Sequence, residues 1–214
     1  MKDYKKNIWS HQRYWNSEDK IKKFHHQSRK TLFSSEKFAL DQLKGCVLTV
    51  ADLGCGGGSF LSLSEPYIKI SAYAGYDISE ESLQIGRKFC QSTGFSGADF
   101  FLEDASSPDV IFSQDLIWST GLVQHVENPV KLIEKMLGSV SKFAVFDLKA
   151  SPDCSSAWEQ GLVSNEAFLK VPYNILSFKC LFDVICSFPH LKIDITTYRI
   201  TPFGNAVIND SGSN

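Results

Sequence analysis

Nowhere in the 214 residues is there an apolar run approaching the roughly 20 residues that a membrane-spanning helix needs. The opening MKDYKKNIWSHQ has no apolar stretch of the secretory kind either, so a cytoplasmic protein without stable membrane insertion is expected. The six cysteines form no C-x-x-C pair and no zinc or disulfide spacing, which points to buried free thiols in a reducing compartment. His11, His25 and His26 have no cysteine or carboxylate partner at ligand spacing, and no metal is expected. Internal repeats and low-complexity tracts are absent. A net charge of −2 excludes a protein that binds nucleic acid by neutralising phosphates over its whole surface. That total conceals an asymmetry. Residues 1–30 hold nine Lys/Arg against three acids, a local +6, and the remainder carries −8.

What is present is a chain with 43% hydrophobic residues, enough for one generous domain. The pattern from Val47 to Leu53 is a continuous apolar, β-branched run ending in glycines, the mark of a strand buried on both faces. Further strand-like runs lie at Ala72–Ile78, Asp99–Leu102, Asp115–Thr120 and Lys142–Leu148. Helical signals separate most of them. Ser79-Glu80-Glu81 opens one helix that ends near Gly94, and Asn128-Pro129 opens another with Leu132, Ile133, Met136 and Leu137 as its apolar stripe. Helices are also predicted from Asn16, from Ser34 or Ser35 to Lys44, and over Ser155–Leu169 and Tyr173–Ser187. The end of the chain reads as two strands, Lys192–Thr201 and Asn205–Asn209, whose short connection allows only an antiparallel pair. Strand alternating with helix implies an α/β fold with a doubly wound, mostly parallel sheet.

The first strand delivers Asp52-Leu53-Gly54-Cys55-Gly56-Gly57-Gly58, and glycines at a strand–helix turn let backbone N–H groups approach a ligand. The spacing is G-x-G-x-G, whereas the dinucleotide fingerprint G-x-G-x-x-G/A would need a small apolar residue where Ser59 stands. No G-K-[ST] is present for a nucleoside triphosphate loop. Asp77 ends the second strand 19 residues after Gly58, where a doubly wound fold places the carboxylate for ribose hydroxyls. Glu103-Asp104-Ala105 ends the third strand, and the fourth runs into Gly121-Leu122-Val123-Gln124-His125-Val126-Glu127-Asn128-Pro129.

Together these four ordered pieces resemble the class I S-adenosylmethionine-dependent methyltransferases. The resemblance implies a Rossmann-like sheet of seven strands with one antiparallel C-terminal strand. It implies S-adenosyl-L-methionine as cofactor and S-adenosyl-L-homocysteine as product. Asp52 with Gly54, Cys55, Gly56 and Gly58 would cradle the methionine part, and Asp77 with Ile78 would hold the ribose. Asp104 and Ala105 would meet adenine, and Ser119 would line the wall by the sulfonium. Gly121–Pro129 is similar to the E-V-L-E-H-V-x-x-P pattern of the small-molecule branch that includes the ubiquinone-type O-methyltransferases, with Gly121 and Gln124 replacing its two glutamates. The Asn/Asp-Pro-Pro-Tyr/Phe tetrapeptide of DNA and glutamine amino-methylating enzymes is missing, so no DNA partner is expected.

His125 is the candidate catalytic base, since imidazole titrates near neutrality. Asp147 near the end of strand five is a candidate to face substrate or to ligate a metal, with a solvated or paired carboxylate as the plain alternative. Acceptor contacts are expected from Tyr14 and Trp15 in a helical cap of residues 1–44, and from Trp158 and Tyr173 in the segment after strand five. Residues 45–214 would form the methyltransferase domain, one globular unit with the cap, acting as monomer or homodimer. The function implied is methyl transfer to an oxygen, less readily a nitrogen, of a small metabolite, natural product or sugar-containing precursor. Two alternatives stay open: a methyltransferase-like binding protein without catalysis, and an RNA-directed enzyme using the basic N-terminus.

Overall fold

A computed structural model describes residues 31–152, 172 and 174–197, together with the backbone of 199–200 and 207–208. Five parallel strands form the central sheet: β1 (Val47–Leu53), β2 (Lys69–Asp77), β3 (Ala98–Leu102), β4 (Leu116–Ser119) and β5 (Phe143–Phe146), in the order β3-β2-β1-β4-β5. Strand alternation sends Leu48, Val50, Tyr73, Phe100 and Trp118 to one face, where α1 (Ser34–Gln42), α2 (Ser59–Ser64) and α3 (Glu80–Thr93) cover them with Leu40, Phe60 and Leu83. Ala51, Leu53, Ala74 and Ile117 point to the other face, against α4 (Pro129–Gly138) and α5 (Phe178–Cys186). The doubly wound α/β class read from the pattern is thus the observed one.

Local chemistry explains where the helices begin and end. Ser79 Oγ accepts the N–H of Ser82 to cap α3, and Gly94 closes it in the left-handed region. Asn128 Oδ1 caps α4 through the N–H of Lys131, with Pro129 in the first turn. Ile133 and Met136 of α4 are fully buried, and truncating either to alanine is expected to cost about 2–5 kcal/mol.

Two expectations are corrected. The main sheet has five strands among the described residues, and the C-terminal pair Arg199–Ile200 with Val207–Ile208 (β8, β9) is antiparallel as predicted but forms its own two-stranded sheet. Asp194–Thr197 is exposed, Ile195 included, and forms no strand. The helix predicted from Tyr173 starts later, at Phe178, because Leu176–Ser177 (β7) pairs in parallel with Ala150–Ser151 (β6) and Ser177 Oγ then caps α5 through the N–H of Cys180. Helices predicted from Asn16 and over Ser155–Leu169 lie outside the described residues. No helix among the described residues is long and apolar enough to cross a membrane.

Candidate active site at the carboxyl edge

Connections run outward from β1 to β3 on one side and from β4 to β5 on the other, so the strand order reverses between β1 and β4. A crevice opens at such a switch point, beyond the carboxyl ends of the strands. The glycine turn and the segment after β4 form its two walls. Gly54, Gly56 and Gly58 all have positive φ, +71°, +53° and +74°. A Cβ on Gly54 would sit 3.1 Å from Leu122 Cβ, and one on Gly58 would sit 3.3 Å from the Phe100 ring, so side chains at these two positions would be both strained and crowded.

Asp77 is tied into that turn. Its Oδ2 accepts the N–H of Gly56 and its Oδ1 accepts the N–H of Ser79, each at 2.8 Å. Burial pushes its pKa up, and the backbone N–H groups of Ser79, Gly56 and Ile78 oppose the shift without cancelling it. Asp52 lies deeper, 4% exposed, and receives the Tyr73 hydroxyl on Oδ2 at 2.7 Å. Cys55 sits beside both acids; burial and then the charges of Asp77 and Asp52 raise its thiol pKa, which makes it a neutral packing residue rather than a nucleophile. Asp104 at the end of β3 closes a tight turn, its Oδ1 accepting the N–H of Ser106 at 2.8 Å and the Ser106 hydroxyl at 2.6 Å. Asp77 and Asp104 are brought together because β2 and β3 are adjacent, with the N–H of Glu103 on the Asp77 carbonyl. Ala105 is buried, Ile78 half-buried.

Across the crevice, Ser119 is fully buried, and among the described residues its hydroxyl has no partner. Gly121 donates its N–H to Asp147 Oδ1 at 2.6 Å, so Asp147 braces the turn after β4. The 3-10 turn Val123–His125 follows, with Gln124 Nε2 donating to the Gly121 carbonyl at 3.0 Å. His125 Nδ1 lies 3.2 Å from the carbonyl oxygen of Pro172. The structure therefore places Asp52, Gly54–Gly58, Asp77, Ile78, Asp104 and Ala105 at the ends of three adjacent strands, with Ser119 and His125 on the facing wall. Tyr14, Trp15, Trp158 and Tyr173 lie outside the described residues.

Three contributors were not anticipated. Tyr73 shares with Asp52 the face that strand alternation assigns to both, a signal present in the sequence. Lys135 reaches from α4 to donate Nζ to the carbonyls of Ala105 at 2.9 Å and Ser107 at 2.6 Å, and sits 4.5 Å from the Phe112 ring centroid. Asn174 bonds the His125 turn, and nothing local in the sequence announces it.

The cradle suits an adenosyl amino-acid cofactor in kind: glycines at positive φ, a half-buried acid after β2, another after β3, and an unpartnered buried hydroxyl after β4 among the described residues. Comparison with known proteins agrees. Residues 51–143 match the sequence profile of a methyltransferase domain. No curated protein sequence matches the chain. Among solved structures, magnesium protoporphyrin IX methyltransferase from Synechocystis PCC 6803, solved with bound S-adenosylmethionine, superposes with a TM-score of 0.61 at 15% identity, covering 92% of each chain. A putative methyltransferase of Haloferax volcanii, in complex with the Trm112 methyltransferase activator, gives 0.56 at 18% identity over 82% of this chain and 74% of that one. An S-adenosylmethionine-dependent methyltransferase from Mesorhizobium loti gives 0.52 at 18% identity over 72% and 80%.

Proposed function

We propose that this chain, whose residues 51–143 match the profile of a methyltransferase domain, transfers the methyl group of S-adenosylmethionine to a hydroxyl oxygen of a small molecule. The observation that carries the reading is the joint placement of the glycine cradle, Asp77 and Asp104 at one strand edge, opposite the His125 turn. Bound S-adenosylmethionine supplies an electrophilic methyl on a sulfonium. The chain's residues then have to position, exclude water and move one proton.

Asp77 Oδ1 and Oδ2 each keep a lone pair beyond the Ser79 and Gly56 N–H groups, and these accept the two ribose hydroxyls. Asp104 accepts the adenine amino group, its turn held open by Lys135 on the Ala105 and Ser107 carbonyls. The Gly54–Gly58 turn, held in shape by the N–H groups of Gly54 and Cys55 on the Tyr76 carbonyl, of Gly56 on Asp77 and of Gly58 on the Cys55 carbonyl, and the buried Ser119 hydroxyl meet the amino-acid end. On the acceptor side His125 is the base. A carbonyl has no hydrogen to give, so the contact with Pro172 is an Nδ1–H donating, and the neutral ring presents the lone pair of Nε2 to the acceptor hydroxyl.

A base is needed for an alcohol and less so for an amine, which favours oxygen over nitrogen. The small-molecule acceptor is supported by the likeness of Gly121–Pro129 to the ubiquinone-type branch and by the fold neighbour that acts on magnesium protoporphyrin IX. Residues 1–44 as a cap, with Tyr14 and Trp15, and the segment holding Trp158 and Tyr173 complete the acceptor pocket in this reading. A cytoplasmic monomer or homodimer fits the same picture.

One observation favours a second reading. Gly121 and Gln124 stand where the related pattern has glutamates, so a site that keeps the cofactor cradle but has lost turnover fits the same residues. Incubating the chain with methyl-labelled S-adenosylmethionine and a metabolite extract separates the two. Label in an extractable small molecule supports the enzyme; cofactor binding with no labelled product supports the binding protein, and label in RNA supports an RNA-directed enzyme.

A further inference from the structure

The segment that enters β7 reaches the His125 turn through two residues. The Pro172 carbonyl meets His125 Nδ1 at 3.2 Å. Asn174, 6% exposed, donates its backbone N–H to the Gln124 carbonyl at 2.8 Å. Its side-chain Nδ2 donates to the Val126 carbonyl at 2.6 Å and to the Gln124 carbonyl at 3.3 Å. The carbonyls on both sides of His125 are thus bridged by one planar amide. Immediately beyond, Leu176 donates its N–H to the Lys149 carbonyl at 2.9 Å, and β7 pairs with β6. That pairing anchors the segment to the stretch that follows β5 without setting the angle of the histidine turn. The side-chain amide sets it, because a primary amide carries two N–H donors in one plane and a carboxylate or a methyl carries none.

We infer that Asn174 is a positioning residue for His125. By bridging the carbonyls of Gln124 and Val126 it holds Nδ1 of the ring against the Pro172 carbonyl and fixes the tautomer with hydrogen on Nδ1 and the lone pair on Nε2. A neutral histidine side chain in water favours the opposite tautomer, so the arrangement is one that the protein has to impose. Its catalytic consequence rests on the reading of His125 as base; the tautomer itself does not. Pro172 and Asn174 in this way tie the stretch that enters β7 to the group that would take the acceptor's proton.

The test needs no acceptor. The full chain is labelled with 15N-histidine, ring nitrogen spectra are recorded above the pH at which the rings titrate, and His125 is identified among the five histidines by its loss in His125→Gln. The parent is expected to show the Nδ1–H form. In Asn174→Ala the signal is expected to move toward the Nε2–H form while calorimetric affinity for S-adenosylmethionine stays unchanged. Asn174→Asp keeps the shape and the backbone N–H but loses both side-chain donors, so it should behave like the alanine variant, whereas a packing role alone would be rescued by it. An Nε2–H ring in the parent overturns the inference, as does an Nδ1–H ring that persists in both variants. If neither variant folds, the parent decides: an Nδ1–H ring with slowly exchanging Asn174 side-chain amide protons supports the inference, and any other combination overturns it. An Nδ1–H parent in which His125→Ala leaves methyl transfer intact removes the base role and leaves the positioning role standing.

Discussion

At the amino edge of the sheet, Asp115 precedes β4 and is fully engaged in holding strands together. Its Oδ2 accepts the N–H of Thr49 at 3.2 Å, its own N–H goes to Thr49 Oγ1 at 2.9 Å, and Lys142 Nζ lies 3.0 Å from Oδ1. The Lys142 bond, and after it the Thr49 N–H, holds its carboxyl below the usual range. At the carboxyl edge, burial raises the pKa of Asp77 and the backbone N–H groups of Ser79, Gly56 and Ile78 resist without cancelling it. One edge keeps its carboxylate where charge is comfortable. The other keeps a carboxylate where charge is costly, a cost that the hydroxyl donors of the proposed ribose would offset. Strained or uncomfortable groups persist at functional sites because binding energy, rather than folding energy, selects them.

The largest effect that should sharpen this contrast comes from the wall opposite Asp77. His125→Ala should lower methyl transfer by about 10²–10⁴-fold with cofactor affinity intact, read by labelled-methyl turnover and calorimetry. Next, Asp77→Ala should weaken S-adenosylmethionine binding by about 1.5–3 kcal/mol, roughly 10- to 150-fold, the loss of hydrogen bonds to a charged group. Tyr73→Phe leaves a buried oxygen of Asp52 without its hydroxyl donor and should reduce stability by about 1–3 kcal/mol in urea unfolding, with weaker cofactor binding alongside.

The smallest effect separates the edges by sign. Asp115 has a depressed pKa, so its contribution to stability is present above the unfolded-state value and is lost as pH falls through the folded one; the parent's advantage over Asp115→Ala should grow from acid to neutral pH. Asp77 has a raised pKa, so its charged form is disfavoured in the fold, and the parent's advantage over Asp77→Ala should shrink over the same range. Unfolding midpoints without cofactor between acid and neutral pH measure both. Parallel curves for the two variants would contradict the contrast.

Much of the carboxyl edge was readable from the chain. The apolar run into Gly54–Gly58, the interval to Asp77 and the acid ending β3 are local signals, since strand ends and positive-φ glycines are set by residues a few positions apart. The Ser79 and Asn128 caps were readable for the same reason. The start of α5 was not, because Leu176–Ser177 is claimed by pairing with Ala150–Ser151, 26 residues away in sequence, and local helical preference loses to that ladder. Asp147 could be named as paired or substrate-facing but not resolved between them, since its partner, the Gly121 N–H, comes from another strand end. Asn174 was missed altogether; its partners at 124 and 126 are about fifty positions distant, and a lone asparagine near a proline reads as a turn.

The central claim is that the carboxyl edge is built to hold S-adenosylmethionine with Asp77 as its ribose anchor. Calorimetric titration of the parent and of Asp77→Ala with S-adenosylmethionine, S-adenosylhomocysteine and NADH tests it most directly. The account predicts that the parent binds the first two and not the third, and that the variant binds the first two roughly 10- to 150-fold more weakly. Absence of binding by the parent, or equal affinity in the variant, would contradict it.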